Sequence, residues 1–294
     1  MSLVDEYRMS CLRSLRGLNA RVKPWPNYKS EIASRLGDTP SAQEIFSLGE
    51  NLKSIFKSEE RTRSQSDLAR GGASWEILVT WYLNLIFWDT NVVVLRPSKA
   101  LMPRVVSDAM TVQVLGVPTN KETDVIAIEI PTDGFSQSMT VTDVDIAIKK
   151  NPLAASIGIV QCKTNWNDNA QVPMLWNMIY AAQNLHVQGV AIGSNGVSPS
   201  SFGRFSYAFM TVPTNTEKDG KDNFKKDSTA VVRVQGLSGG NYWGNPTKSG
   251  VAASISEYVG RNFDHVFEGG VMHHLASNVA PNQEMISKFL DFNF

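Results

Sequence analysis

Apolar residues recur at helical spacing through SWEILVTWYLNLIFW, where Trp75, Leu78, Val79, Tyr82, Leu85 and Ile86 fall on one broad face. The pattern predicts a mostly buried helix, capped by Ser74 after Gly71-Gly72 and carrying one early carboxylate, Glu76. Beyond it the period shortens. Residues 91–95 (NVVVL), 110–115 and 124–130 read as strands, the last two joined by the turn-rich PTNKE. Residues 141–149 (VTDVDIAIK) stay open between a strand, by alternation, and a short capped helix ending at Asn151-Pro152. Residues 156–163 (SIGIVQCK) predict a strand, 173–185 a helix with Pro173 in its first turn, and 187–192, 206–212 and 229–234 further strands. The order predicts an α/β layer around a mixed sheet. Residues 1–70 are polar and predict helical pieces broken at Pro24, Pro26 and Pro40, set apart as an N-terminal region from a domain over 71–294. A charged loop over 213–228 and a Gly-rich loop over 238–250 precede a last helical region.

Composition narrows this little. Hydrophobic residues make up 42 % of the 294-residue chain and charged residues 19 %, as in an ordinary globular protein. Lys+Arg and Asp+Glu are both 28, so a nucleic-acid surface has to come from local segregation of charge. Within residues 51–70, Lys53, Lys57, Arg61, Arg63 and Arg70 outnumber Glu59, Glu60 and Asp67, which reads as a solvated helix face or as a phosphate-contacting one. The widely separated Cys11 and Cys162 fit neither a disulfide framework nor a metal motif, which points to a reducing cytosol. Asp5, Glu6 and Arg8 argue against a signal peptide, and Thr80 and Asn84 interrupt the most apolar stretch, too short to span a bilayer. The expectation is a cytoplasmic protein without a membrane partner.

The candidate chemistry gathers around residues 158–166 (GIVQCKTNW). Alternation places Gln161 and Lys163 on one face of the strand and Cys162 on the other. Two acids compete as their neighbour. If residues 144–149 pair with 157–162, Asp145 lies opposite Gln161 and Asp143 opposite Lys163; if residues 136–150 are a helical insertion, Asp124 takes the place. Glu76 on the first helix is a further carboxylate for the same end of the sheet.

The spacing Asp145-x15-Gln161-Cys162-Lys163 resembles the D…(D/E/Q)-x-K signature of the PD-(D/E)XK nucleases, in the QxK form of the Mrr-like branch, and the string after Lys163 is similar to that of some type II restriction endonucleases. The resemblance covers residues 72–195. It implies a restriction-endonuclease-like αβββαβ core and a homodimer that cuts double-stranded DNA at a specific sequence. Mg2+ would be held by Asp124 or Asp145, Gln161 and Glu76, with Lys163 orienting the attacking water. Such an ion would supply most of the charge stabilisation that phosphodiester hydrolysis needs. Gln161, where most members carry an acid, departs from the pattern.

Plainer roles exist for each residue: a strand-end lysine is often a solvated edge, Glu76 a helix-start carboxylate favoured by the dipole, and Asp143, Asp145 and Glu122 turn or cap residues. DNA contacts are expected from Asn165, Asn167, Asn169 and Gln171 after the strand, and from Tyr242 and Lys248 in the Gly-rich loop; turn-forming and packing roles stand beside these. His265, His273 and His274 have no metal spacing. The rival readings are a structure-selective repair nuclease or junction resolvase, and a DNA-binding protein without catalysis.

Overall fold

The computed structural model describes residues 2–22, 25–58, 68–119, 123–164, 189–212, 217–218, 221–222, 240–242 and 255–293. Three helices come first: α1 (Asp5–Val22), α2 (Trp25–Leu36) and α3 (Ala42–Lys57). Pro26 does not break α2 but sits in its first turn, where a missing N–H costs nothing. Pro40 does mark a boundary, because Ser41 caps α3 by accepting from Glu44 N at 3.2 Å while the Glu44 carboxylate accepts from Ser41 N at 2.7 Å.

Helix α4 (Leu68–Ile86) starts upstream of the expected Ser74 cap and carries Gly71 and Gly72 inside it. Each internal glycine costs about 1 kcal/mol relative to alanine. The burial of Trp75, Leu78, Val79, Trp81, Tyr82, Leu85 and Ile86 outweighs that penalty. Their polar atoms are matched as well: Trp75 Nε1 donates to Met210 O at 2.7 Å and Trp81 Nε1 to Phe289 O at 2.9 Å.

A mixed five-stranded sheet follows in the order β1 (Val92–Leu95), β4 (Val125–Glu129), β5 (Ser156–Lys163), β7 (Arg204–Thr211) and β10 (Gly240–Tyr242). β4 runs antiparallel to both β1 and β5, whereas β5, β7 and β10 run parallel. A smaller sheet joins β2 (Val112–Val114) to β3 (Val117–Thr119) and β6 (Val190–Ile192). Its hairpin turns through Leu115 and Gly116, both with positive φ (52° and 79°), as a two-residue primed turn requires. β8 (Glu217–Lys218) and β9 (Lys221–Asp222) pair within the span expected to be a charged loop.

Helix α5 (Arg104–Ala109) precedes β2, and residues 141–150, left open by periodicity, form helix α6 (Val141–Lys150). Thr140 decides it: its hydroxyl and the Asp143 carboxylate make a reciprocal capping box. The chain ends in α7 (Ile255–Phe263), α8 (Val271–His274), which continues as a π-turn over Leu275–Val279, and α9 (Gln283–Asp291). The expected helix over 173–185 and strand over 229–234 lie outside the described residues. Among the described residues, no helix is long and apolar enough to cross a membrane.

Two apolar cores sandwich the large sheet. Val94, Val125, Val160 and Cys162 face the N-terminal helices, α4 and the C-terminal helices; Leu95, Ile126, Ile128, Ile157 and Ile159 face α5 and α6. The outer edge of β1 would leave backbone groups unpaired in this interior. Two side chains close it. Asn84 of α4 donates to Val94 O at 2.7 Å and accepts from Val94 N at 3.1 Å. Arg8 of α1, fully buried and paired with Asp5, donates to Thr90 O at 2.8 Å and Val92 O at 2.6 Å and lies over the Trp88 ring. Burial pulls the Arg8 guanidinium down to about 9. The polar residues that spoil the hydrophobic pattern at both places are therefore edge seals. Replacing Asn84 by leucine strands two buried backbone groups and is expected to cost about 2 kcal/mol or more, read as a lowered midpoint in urea unfolding with an unchanged slope.

Candidate functional site

Strand direction brings the chemistry-bearing residues to one end of the sheet. β4 is antiparallel to β5, so its start lies beside the end of β5; β1 is antiparallel to β4, so its end lies there too. Arg96 directly follows β1, Asp124 directly precedes β4, and Gln161 and Lys163 close β5. Continuing the Val125–Val160 register by one step sets Asp124 opposite Gln161. Trp75, bonded to Met210 O, holds the neighbouring Glu76 of α4 over the same end.

Within this group Arg96 grips Glu76 through two nitrogens, its Nε donating to Oε2 at 2.7 Å and its Nη2 to the same oxygen. Asp124 Oδ2 accepts from the backbone N–H of Cys162 at 2.8 Å. Gln161 is buried, and Lys163 is half-buried at the strand end. Burial raises the Glu76 carboxyl above its ordinary range; the Arg96 charge pulls it down, Asp124 pushes it up, and Lys163 lowers it slightly. The Cys162 thiol, on the face of β5 opposite Gln161 and Lys163 and toward α4, is pushed far up by burial and then by Asp124 and Glu76, so it stays protonated and inert.

Asp124 and Asp145 are thereby separated. The strand pairing with β5 belongs to residues 125–129, and Asp145 lies on α6, where no hairpin partner for Gln161 exists. Its carboxylate accepts from Val105 N at 2.7 Å, at the start of α5, and pairs with Lys149 at 2.5 Å. Asp143 is a helix cap, held low by its bonds to Thr140. Asn165, Asn167, Asn169, Gln171 and Lys248 lie outside the described residues, and Tyr242 is described only as backbone of β10. Arg96 belongs to no sequence motif, although a cation immediately after the buried run VVVL is the signal that marks it. Nor do the histidines stand idle: His265 Nε2 meets Glu129 at 2.8 Å, and buried His274 reaches Trp88 O at 2.9 Å.

The expected magnesium site is corrected by this geometry. A hydrated Mg2+ needs ionised oxygens free to face it in an octahedron. Here the bonded Glu76 oxygen is taken up by a guanidinium, burial raises that carboxyl above its ordinary range, and an Asp124 oxygen is taken up by a backbone amide. Among the described residues, no three His, Cys, Asp or Glu side chains come together to hold a metal ion. Comparison with family models, curated proteins and solved structures finds no match for the chain. Membership of the PD-(D/E)XK nucleases is therefore not upheld, and the expectation of a Mg2+-dependent restriction endonuclease, a site-specific hydrolase of DNA, falls with it.

What the site does hold is two carboxylates, Glu76 and Asp124, with two cations, Arg96 and Lys163, and burial raises the Glu76 carboxyl above its ordinary range. Its raised pKa means the folded protein keeps a proton that the unfolded chain releases. Its contribution to stability is complete below the unfolded value and is lost as pH rises through the folded one. Relative to Glu76→Gln, the wild type is thus expected to lose stability as pH climbs through that window. In Arg96→Ala the Glu76 carboxyl, followed by carbon-detected NMR titration, is expected to move further up.

Proposed function

We propose that the chain is a DNA-binding protein whose contact surface centres on the polar end of the large sheet and calls on no metal-assisted cleavage. The observation that carries this reading is the convergence of Arg96 and Lys163, from different strands, beside Gln161 at the sheet end that also leads into residues 165–171. A guanidinium and an ammonium held at the same end of the sheet, after β1 and at the end of β5 on either side of β4, suit successive phosphate oxygens. Asn165, Asn167, Asn169 and Gln171, which follow Lys163 in the sequence, carry amides of the kind that read base edges. Glu76 and Asp124 oppose the phosphates, so they set the strength of binding: each negative charge removed from the rim favours the anion.

The electrostatics give the test. In fluorescence anisotropy with a labelled duplex and EDTA present, the protein is expected to bind with a salt-dependent affinity. Lys163→Ala is expected to lower the logarithmic salt slope by about 1, uniformly across sequences. Glu76→Gln is expected to bind more tightly, and the wild type to tighten as pH falls and Glu76 takes up its proton. Absence of binding at low salt, or a Lys163→Ala slope equal to wild type, overturns the reading.

A further inference from the structure

Next to the polar cluster the surface opens into a cup of about 240 Å3. Its walls are the segment that follows Arg96, helix α5 and the start of β4 just beyond Asp124. The floor is apolar and belongs to the second core: Met110 and Ile126 are buried, and Met102 packs beside them. The rim is polar, with the exposed Lys99 and Ser98 on one side and half-buried Thr123 on the other. Asp124, one residue before β4, lies two positions from Ile126, so continuing the strand's alternation turns these two residues toward the same face.

We infer that this cup receives a single nucleobase, turned out of a DNA strand whose phosphates rest on Arg96 and Lys163. The inference rests on the DNA-binding reading and names the part of the ligand that reading leaves unassigned. Small-molecule sites usually measure about 300–1,000 Å3, so a cup below that range holds one flat ring system and leaves its sugar and phosphate outside. The thioethers of Met102 and Met110 are polarizable and adaptable, which suits contact with an aromatic ring. The Thr123 and Ser98 hydroxyls and the Lys99 ammonium, which line the cup, are donors for the polar edge of a base. One cation of the cluster stands next to the cup in the chain, since Arg96 directly precedes Pro97 of the wall, while Asp124, directly after Thr123, opposes the phosphates and limits how tightly they are held. Turning a base out costs unstacking and unpairing, and costs least where the base has no partner. A duplex with one unpaired base is therefore the favoured ligand.

The test uses the full chain, EDTA, and a duplex carrying 2-aminopurine opposite an abasic position, with a fully paired duplex as reference. Among the described residues the lining has no aromatic ring to quench the probe, so binding is expected to raise its fluorescence several-fold and to favour the abasic duplex about tenfold. Ser107→Phe, which fills the cup from α5, is expected to abolish the rise while anisotropy still reports binding; Thr123→Trp fills it from the segment before β4 if the first variant does not fold. Binding by anisotropy with no fluorescence rise, or a rise unchanged in a folded filled-cup variant, overturns the inference and leaves the DNA-binding reading standing. No binding to either duplex overturns both.

Discussion

β5 is buried along nearly its whole length, and its side chains alternate between two apolar cores that share no other strand so centrally. A strand in that position has no solvated face on which to carry charge, so its polar residues are confined to its ends. Ile157 and Ile159 enter one core, Val160 and Cys162 the other, and the alternation runs out at Gln161 and Lys163. Everything polar about the site follows from that exhaustion of burial, combined with the antiparallel neighbours that bring Asp124 and Arg96 to the same end.

The cost of building such a sheet appears at its edge. Among the described residues β1 has one hydrogen-bonded neighbour, β4, and its other side faces helices. Asn84 and Arg8 replace the missing strand with side-chain groups, and Arg8 carries Asp5 with it into the interior. A buried ion pair is weak in net stabilisation but severe when broken, so it fixes where α1 docks more than how strongly. The same logic governs the far end, where the largely buried Glu76 carboxylate is met by the Arg96 guanidinium.

That logic also explains why a motif resemblance and a working metal site part company. The spacing of a carboxylate, an amide and a lysine along the chain says which strands they end, not what else is bonded to them. Glu76 and Asp124 do reach the neighbourhood of Lys163, yet each has an oxygen committed to a protein donor, and the cluster is neutralised from within. Arg96, the residue that does most of this, stands in no motif.

By itself the sequence determined the elements with strong periodicity: the aromatic-rich helix, the strands at residues 92–95, 125–129 and 156–163, and the sharing of one face by Gln161 and Lys163, because burial imposes a period that residue types record. It also carried the Asn151-Pro152 stop and the Thr140-Asp143 pair, although alternation in between concealed the helix they bound. Tertiary structure alone decided which acid stands by Lys163, that Asp5 and Arg8 belong to the interior, and that Arg96 occupies Glu76. These depend on strand order and on partners far away in the chain, and no local pattern of residue types encodes the distance between two side chains that meet only after folding.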